Sequence, residues 1–423
     1  MTMDGTHMRI GVIGAGVIGV TAALALLRDG HDVTILDREG VAAGASQGNA
    51  GAFAFSDIVP LATPGILRQA PGWLFDPLGP LTIRPGYALS ILPWLARFAR
   101  ASMPGRFAAA LAAQAALMTR SRAALDRLLP AIDGERLIRR EGQLQLYDDA
   151  AQMRAAAPSW KERERAGIAF ETLTDAAAIA AIQPGIAPRF THAVFTPDWI
   201  NVTDPKAWTE HVAGAVLAGG GRIERRAVRA LIPEGPQVRA AFDGGEARFD
   251  RVVLAAGAQS KALLPKDTGL SLPLETERGY NTTLPSGAFD LRTHLTFSSH
   301  GFVVTRIGEG VRVGGAVELG GLSLPPNMKR AEALLAKAAA FLPGLETSGG
   351  TQWMGFRPSM PDSLPVIGPL PRHPSVLLAF GHGHLGLTQS AGTAELIADL
   401  VARRAPGMDL SPYRPGRFTR GAA

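Results

Sequence analysis

The sequence predicts an α/β fold, a doubly wound dinucleotide-binding domain with an inserted α+β domain built on an antiparallel sheet, and three observations carry that prediction. Short apolar runs at Arg9–Ile13 and Val33–Leu36 flank a glycine turn and an apolar helix pattern, the order strand, helix, strand. Two further strands, Arg222–Val228 and FDRVVLA (Phe249–Ala255), return to the nucleotide side much later, so this domain is discontinuous in sequence, and SVLLAF (Ser375–Phe380) is a last buried strand. Between these last two, Leu272–Gly321 alternates or is β-rich, with Gly and Pro turns and no helical stretch, as an antiparallel sheet would be.

The first unit reads RIGVIGAGVIGVTAALALLRDGHDVTILD over Arg9–Asp37. Gly14 suits the tight turn, Gly16 lets the backbone approach a pyrophosphate, and Gly19 lets helix and strand pack closely. The helix N-terminus then presents unpaired N–H groups and the positive dipole end to an anion. Asp37, 23 residues after Gly14, can accept a ribose hydroxyl. The fingerprint does not separate NAD from FAD; a carboxylate at Asp37 disfavours a 2′-phosphate, although Arg38 stands beside it.

Composition sets bounds around that unit. At 423 residues, 46% hydrophobic, the chain is long enough for two or three domains with a large core. The formal charge of +6 comes from dispersed Lys and Arg with few interleaved aromatics, which reads as a solvated basic surface and speaks against a nucleic-acid partner. With no cysteine there is no disulfide, no Cys-ligated metal and no cysteinyl flavin bond; a reducing, cytoplasmic setting fits. The first residues carry no apolar signal core, and no window is long and apolar enough to suggest a transmembrane helix.

In order after Asp37, the small-residue run to Gly51 reads as a loop lying against a cofactor. The Pro-rich stretch from Pro60 leads into a helix over Tyr87–Arg100, read as a packing helix or, with its flanking arginines, an interfacial one. An alanine-rich helix is expected from about Arg106, a half-buried strand at Glu141–Tyr147 and helix over Ala150–Ala181. Thr203-Asp204-Pro205 opens a helix that ends at Gly219–Gly221, with a strand at Arg222–Val228. Helices are expected again at Lys329–Phe341 and up to about Ala402, with a loosely held tail beyond Arg403. The domain division expected from this pass is 8–60, 190–270 and 351–405 for the nucleotide domain, and 61–189 and 271–350 for the substrate domain.

Four stretches occur in order: GAGVIG with Asp37; GASQGNAG (Gly44–Gly51); VVLAAGAQS (Val252–Ser260); and GFRPSMPDSLPVIG (Gly355–Gly368) followed by GHGHLGLTQSAGT (Gly381–Thr393). Together they resemble the FAD-dependent D-amino-acid oxidase superfamily, which includes glycine and sarcosine oxidases. The likeness is strongest to bacterial D-amino-acid dehydrogenases and covers about Arg9 to Ala402. It implies FAD as cofactor, with its pyrophosphate and flavin near Gly14, Ala15, Gly16, Val17, Ile18, Gly19, Ser46, Asn49, Ala50 and Gly51. It implies the adenosine end near Asp37, Arg38 and Val228, a closing strand before Ala256 and Gly257, and a final helix whose Gly383, His384, Leu385, Gly386, Leu387 and Thr388 meet the flavin's pyrimidine end. Asp37 stands where the family more often has Glu, and Asn281 leaves the side-chain pocket undefined.

Arg357, between Phe356 and Pro358, reads either as a structural ion-pair partner of Asp362 or as a planar fork for an α-carboxylate. Tyr280 is either a second donor to that carboxylate or a tyrosine packed at a sheet edge. With the family likeness, the implied reaction is hydride transfer from the Cα of a D-amino acid to flavin N5, giving an imino acid that water converts to a 2-oxo acid and ammonia. Electrons then pass to a quinone or other acceptor, with peripheral membrane contact at the cytoplasmic face of the inner membrane as one setting. The competing readings are a secondary-amine substrate such as D-hydroxyproline or an N-methyl amino acid, a non-catalytic flavin-binding subunit, and an NAD-linked dehydrogenase. No metal site is expected. His382 and His384 receive no catalytic role, no partner carboxylate being identifiable beside them.

Overall fold

A computed structural model describes residues 7–66 and 81–419; the first six residues, the Pro-rich stretch over 67–80 and residues 420–423 lie outside the described residues. Strands are numbered along the chain. A six-stranded sheet has the order β10-β2-β1-β14-β21-β20, formed by β1 (Arg9–Ile13), β2 (Asp32–Asp37), β10 (Arg222–Arg225), β14 (Arg251–Leu254), β20 (Val366–Pro369) and β21 (Val376–Phe380). All its pairings are parallel except β20 with β21. The chain steps from β1 to β2 on one side and later places β14 on the other, and a crevice at the carboxyl ends of the strands is where such a sheet binds ligands.

The nine-stranded sheet contains β4 (Leu81–Ile83), β6 (Gln143–Tyr147), β7 (Glu171–Leu173), β8 (His192–Thr196), β15 (Glu275–Leu284), β16 (His294–Phe297), β17 (Phe302–Ile307), β18 (Gly310–Leu319) and β19 (Thr351–Ser359). Its order is β19-β15-β18-β17-β16-β6-β8-β7, with β4 added on β18. It is mixed rather than purely antiparallel, because β6 joins β16 and β4 joins β18 in parallel. Two small sheets complete the fold: β3 (Ala52–Phe53), β5 (Ile138–Arg139) and β9 (Ile200–Val202); and β11 (Val228–Glu234), β12 (Gln237–Phe242) and β13 (Gly245–Phe249).

Helices α1 (Val17–Arg28), α6 (Pro205–Ala218) and α8 (Gly386–Val401) pack with the six-stranded sheet, and α3 (Pro104–Ala131) packs on α8. Apolar residues of all of these form one core with Ile10, Val12, Val33 and Ile35. The α3 and α8 backbones come close where Gly392 meets Ser121; a Cβ on Gly392 would lie 2.4 Å from the Ser121 hydroxyl. The start of α6 follows from its sequence, since the Asp204 carboxylate accepts the Ala207 N–H at 2.8 Å and Pro205 lacks the N–H the first turn would leave unpaired. Helix α2 (Ala88–Ala101) buries Ile91 and Trp94 against Leu319, with Trp94 and Phe98 stacked at 5.3 Å, and leaves Leu89 and Leu92 exposed. Helix α7 (Lys329–Phe341) covers the back of β15 and β18.

Several expectations change. The helix expected over Ala150–Ala181 is two, α4 (Ala150–Arg165) and α5 (Ala176–Ile182), because Gly167 turns the chain at φ +75° into β7. The strand expected over Arg222–Val228 stops at Arg225, and Val228 opens the small sheet of β11. Pairing draws β8 and β19 into the nine-stranded sheet, whereas the expected boundaries placed both in the nucleotide domain. The tail past Arg403 is held over its described residues, which run to Thr419: Tyr413 is fully buried with its hydroxyl on the Ala113 carbonyl, and Arg417 pairs with Asp362 at 2.8 Å. No helix among the described residues is long and apolar enough to cross a membrane.

Candidate active site

A cavity of about 1200 Å³ runs from the carboxyl ends of β1, β2, β14 and β21 to the front face of the nine-stranded sheet. At the first end, Gly14 has φ +111°, and a Cβ there would lie 2.5 Å from the Ala255 carbonyl oxygen. A Cβ on Gly19 would lie 1.9 Å from the Gly14 oxygen, so only glycine lets α1 sit this close to the turn. The Ser46 hydroxyl accepts the Val17 N–H at 2.9 Å, which leaves its own proton to donate into the cavity. Asp37 is more occupied than its spacing suggested: one oxygen accepts from the Glu39 and Gly40 N–H groups and the other from Ala15 N–H, all at 2.8 Å. A carboxylate has about four acceptor positions, so one remains for a ligand hydroxyl.

The loop after β2 is tied to the far sheet. Asn281 donates to the Gly48 carbonyl at 2.8 Å, and the Trp353 ring lies so close over Gly48 that a Cβ would come within 2.3 Å of it. Arg312 donates to the Asn49 carbonyl at 2.6 Å and to Thr283, and burial pushes its pKa down to about 10. Asn49 shapes the loop itself, accepting from Gly51 N–H and donating to the Ser46 carbonyl. Neither Arg312 nor Trp353 was singled out from the sequence, since nothing local in either stretch marks a contact across two domains.

The sheet end is built around Arg357 on β19. Its side chain crosses the neighbouring strand β15 at Gly279, where a Cβ would lie 2.3 Å from the guanidinium, and donates to the Ala316 carbonyl on β18 at 2.9 Å. Ala316 adopts φ +56° opposite a register shift between Arg278 and Tyr280. That bulge re-aims a carbonyl toward the front face. The remaining guanidinium donors face the cavity. Burial lowers the proton affinity of Arg357 and the charge of Glu277, its register partner on β15, raises it. Glu277 is itself 5% exposed and lines the cavity.

The other expected partners lie elsewhere. Asp362 belongs to Arg417, so the ion-pair reading of Arg357 does not hold. Tyr280 sits on the back face, where its hydroxyl donates to Glu318 at 2.8 Å and accepts the Asn327 N–H, so it is not a second donor beside Arg357. Glu318 also receives Arg278 at 3.2 Å, with both side chains fully buried. Regular alternation along β15, which pairs with β19 in unbroken register, puts Tyr280 on the face opposite Glu277.

The final loop joins the two ends. Gly383 N–H donates to the Pro358 carbonyl at 2.7 Å, setting the start of α8 one residue from Arg357's strand position. His382 is buried against Thr393 at 3.0 Å, and burial pushes its pKa down to about 3, so it is neutral and structural. His384 does have a carboxylate partner, Asp57, at 3.0 Å. Burial pushes Asp57 up, but the His384 hydrogen bond and the charges of His384 and Arg163 hold it below the ordinary carboxylate range. His294, also on the cavity wall, is neutral for the same reason as His382, with burial pushing it down to about 3.

A family model described as FAD dependent oxidoreductase, DAO, matches residues 9–400. The chain belongs to the DAO family of FAD-dependent oxidoreductases. It is 35% identical to a D-amino-acid oxidase of Bradyrhizobium diazoefficiens over 98% of this chain and 99% of that one. It is 33% identical to a D-amino acid dehydrogenase of Rhizobium rhizogenes over 97% of this chain and all of that one. Among solved structures, glycine oxidase from Geobacillus kaustophilus superposes with a TM-score of 0.77 at 20% identity, covering 97% of this chain and 99% of the other.

The residues present fit the family's cofactor. FAD is long and dianionic at its centre, and the cavity offers a glycine turn, the N-termini of α1 and α8, the Ser46 hydroxyl and the last acceptor position of Asp37 along one continuous wall. Of the residues expected to meet it, Gly14, Gly16, Val17, Ile18, Asp37, Arg38, Ser46, Asn49, Ala50, Val228, Ala256, Gly257, Gly383, His384, Leu385, Gly386 and Leu387 line this cavity. Ala15, Gly19, Gly51 and Thr388 do not: the first holds Asp37, Gly19 packs on Gly14, and Gly51 and Thr388 brace the strand β3 region. Among the described residues no His, Asp and Glu cluster could hold a metal.

Proposed function

We propose that this protein oxidises D-amino acids to 2-oxo acids and ammonia, with Arg357 binding the α-carboxylate. The observation that carries the proposal is the Arg357 guanidinium, held over Gly279 by one carbonyl, without a carboxylate partner among the described residues, and facing the cavity. A planar cation with free donors at a closed wall suits bidentate recognition of a carboxylate. A flavin-binding subunit that only relays electrons has no use for it. FAD, when bound, would supply the two-electron hydride acceptor; the hydride leaves Cα of the neutral amine, after the ammonium has given up one proton, and the nitrogen lone pair forms the C=N bond. The protein's part is to fix the carboxylate and close the site against water, so that Cα–H is aimed at the ring; the imino acid released is hydrolysed by water. The D hand is supported by the relatives' names.

The FAD contacts follow the cavity wall, with Gly14, Gly16 and Ser46 at the pyrophosphate, Asp37 at the ribose and the start of α8 at the flavin's pyrimidine end, where a helix dipole stabilises negative charge. The electron acceptor is a quinone or an electron-transfer protein. Leu89 is 83% exposed and Leu92 54% exposed on α2, while Trp94, Leu95 and Phe98 of the same helix line the cavity. That arrangement supports peripheral contact with a membrane surface carrying the acceptor. Anaerobic mixing with D- and L-amino acids tests the proposal: D-amino acids bleach the flavin's visible absorbance much faster than their L-partners. Equal rates overturn the D assignment, and no bleaching by any amino acid overturns the substrate class.

A further inference from the structure

Glu277 and Arg357 stand directly opposite each other across the β15–β19 ladder, so both side chains leave the front face of the sheet as neighbours. Their charges are opposite, yet they do not form a salt bridge, because the guanidinium has crossed β15 to the Ala316 carbonyl. Glu277 is 95% withdrawn from solvent and lines the cavity, and among the described residues no N–H or O–H donates to its carboxylate. The contrast with the other buried carboxylate of this sheet is plain, since Glu318 holds both Arg278 and Tyr280. Its oxygens therefore open onto the cavity rather than onto a protein donor, and a carboxylate so placed is stabilised when a cation with N–H donors arrives beside it in a site closed to bulk water.

An α-amino acid brings that cation. Its ammonium nitrogen is attached to the carbon next to the carboxylate, so a substrate whose carboxylate lies on Arg357 carries its ammonium within the reach of a side chain on the adjacent position. A side-chain amine or guanidinium at the far end of a long substrate would lie several bonds further off. Resting on the amino-acid reading above, we propose that Glu277 is the acceptor for the substrate's α-amino group. Arg357, Glu277 and the hydride acceptor then make three points of attachment around Cα. With carboxylate and nitrogen both fixed to the protein, only one enantiomer turns its Cα–H toward the ring. Glu277 is thus a residue that determines both the need for an amine and the hand of the substrate.

The test compares wild-type holoenzyme with Glu277→Gln, which keeps shape and loses charge. For a D-amino acid with a neutral side chain, kcat/KM falls on the order of a hundredfold. The ratio of D to L bleaching rates falls with it. Amine-free carboxylates, such as the 2-hydroxy acid of the same side chain or benzoate, read by their perturbation of the flavin spectrum, bind the variant more tightly than the wild type because a repelling charge has gone. A merely structural role would not tighten them. Unchanged kcat/KM, unchanged affinity for amine-free carboxylates, or a loss confined to substrates with basic side chains each overturns the proposal. If the variant does not retain FAD, the wild type still decides: its D-amino acid must bind more tightly than the matching 2-hydroxy acid, and equal affinity overturns the assignment. Wild-type protein that no amino acid reduces defeats the amino-acid reading itself, whereas bleaching in both forms at equal rates defeats only the role of Glu277.

Discussion

The two faces of β15 carry the same chemistry in opposite states. On the back, Arg278 is fully buried and donates to the carbonyls of Gly320, Gly321, Leu324 and Pro325 as well as to Glu318, which Tyr280 also reaches. On the front, Arg357 donates to one carbonyl and Glu277 receives nothing from the described residues. Both arginines sit on neighbouring strands of one sheet, at register positions one apart. Saturation therefore separates them better than burial does. An arginine with its donors used locks loops to a sheet, and one with donors left over is a site for an anion.

Substitutions at three positions would break or sharpen that comparison. The largest effect is expected on the back face, where Arg278→Met leaves Glu318 buried without its principal cation, a loss of about 3–5 kcal/mol. Chemical denaturation should record it, while flavin bleaching per folded molecule stays near wild type; lost turnover at undiminished stability would mean the back face also serves the reaction. On the front, Arg357→Ala should leave fold and FAD intact but remove a bidentate charged contact, each hydrogen bond to a charged group being worth about 1.5–3 kcal/mol. The drop in kcat/KM for D-amino acids is then on the order of a hundredfold or more, and Arg357→Lys, which keeps charge without the fork, recovers only part. Undiminished turnover in Arg357→Ala would place the clamp elsewhere. The smallest effect belongs to Gly279→Ala. Its methyl group would meet the far end of a movable side chain, so melting temperature should hardly change, yet the displaced guanidinium should cost about tenfold in kcat/KM. Equal kcat/KM would show that the arginine does not need its path across β15.

Much of the nucleotide side was legible in the sequence because local rules govern it. The turn at Gly14, the close packing of Gly19 and the cap at Asp204 follow from conformational preferences of nearby residues, as do, on the other sheet, the limits of Lys329–Phe341. The site's polar pairs follow from none of these. Asp57 reaches His384, Asn281 reaches Gly48 and Arg312 reaches Asn49, contacts that only the completed fold creates. Tyr280 faces away from Arg357 for a narrower reason: Glu277 stands opposite Arg357 on the neighbouring strand, and a residue three further along β15 points to the other face, a register that only the pairing of β15 with β19 fixes. Alanine-rich Ala150–Ala181 favours helix throughout, and the turn at Gly167 into β7 owes as much to pairing with β8 as to the glycine.

The order of strands in the six-stranded sheet has a consequence for the birth of the protein. β1 and β2 emerge first, but their neighbours β10 and β14 follow some 200 residues later, and β21 with α8 comes only near residue 400. At typical synthesis rates of about 5–20 residues per second, the first strands wait tens of seconds for the elements that will cover them. Contacts this far apart in sequence also make the closing step slow, since chain entropy must be lost before the pairings reward it. The cavity is lined both by Gly14 and by Gly386, so its wall is complete only once residues more than 370 positions apart have both been made. The closing of the cavity is therefore a late step in the assembly of this fold, and until then β1 and β2 lack the neighbours that pair with their edges.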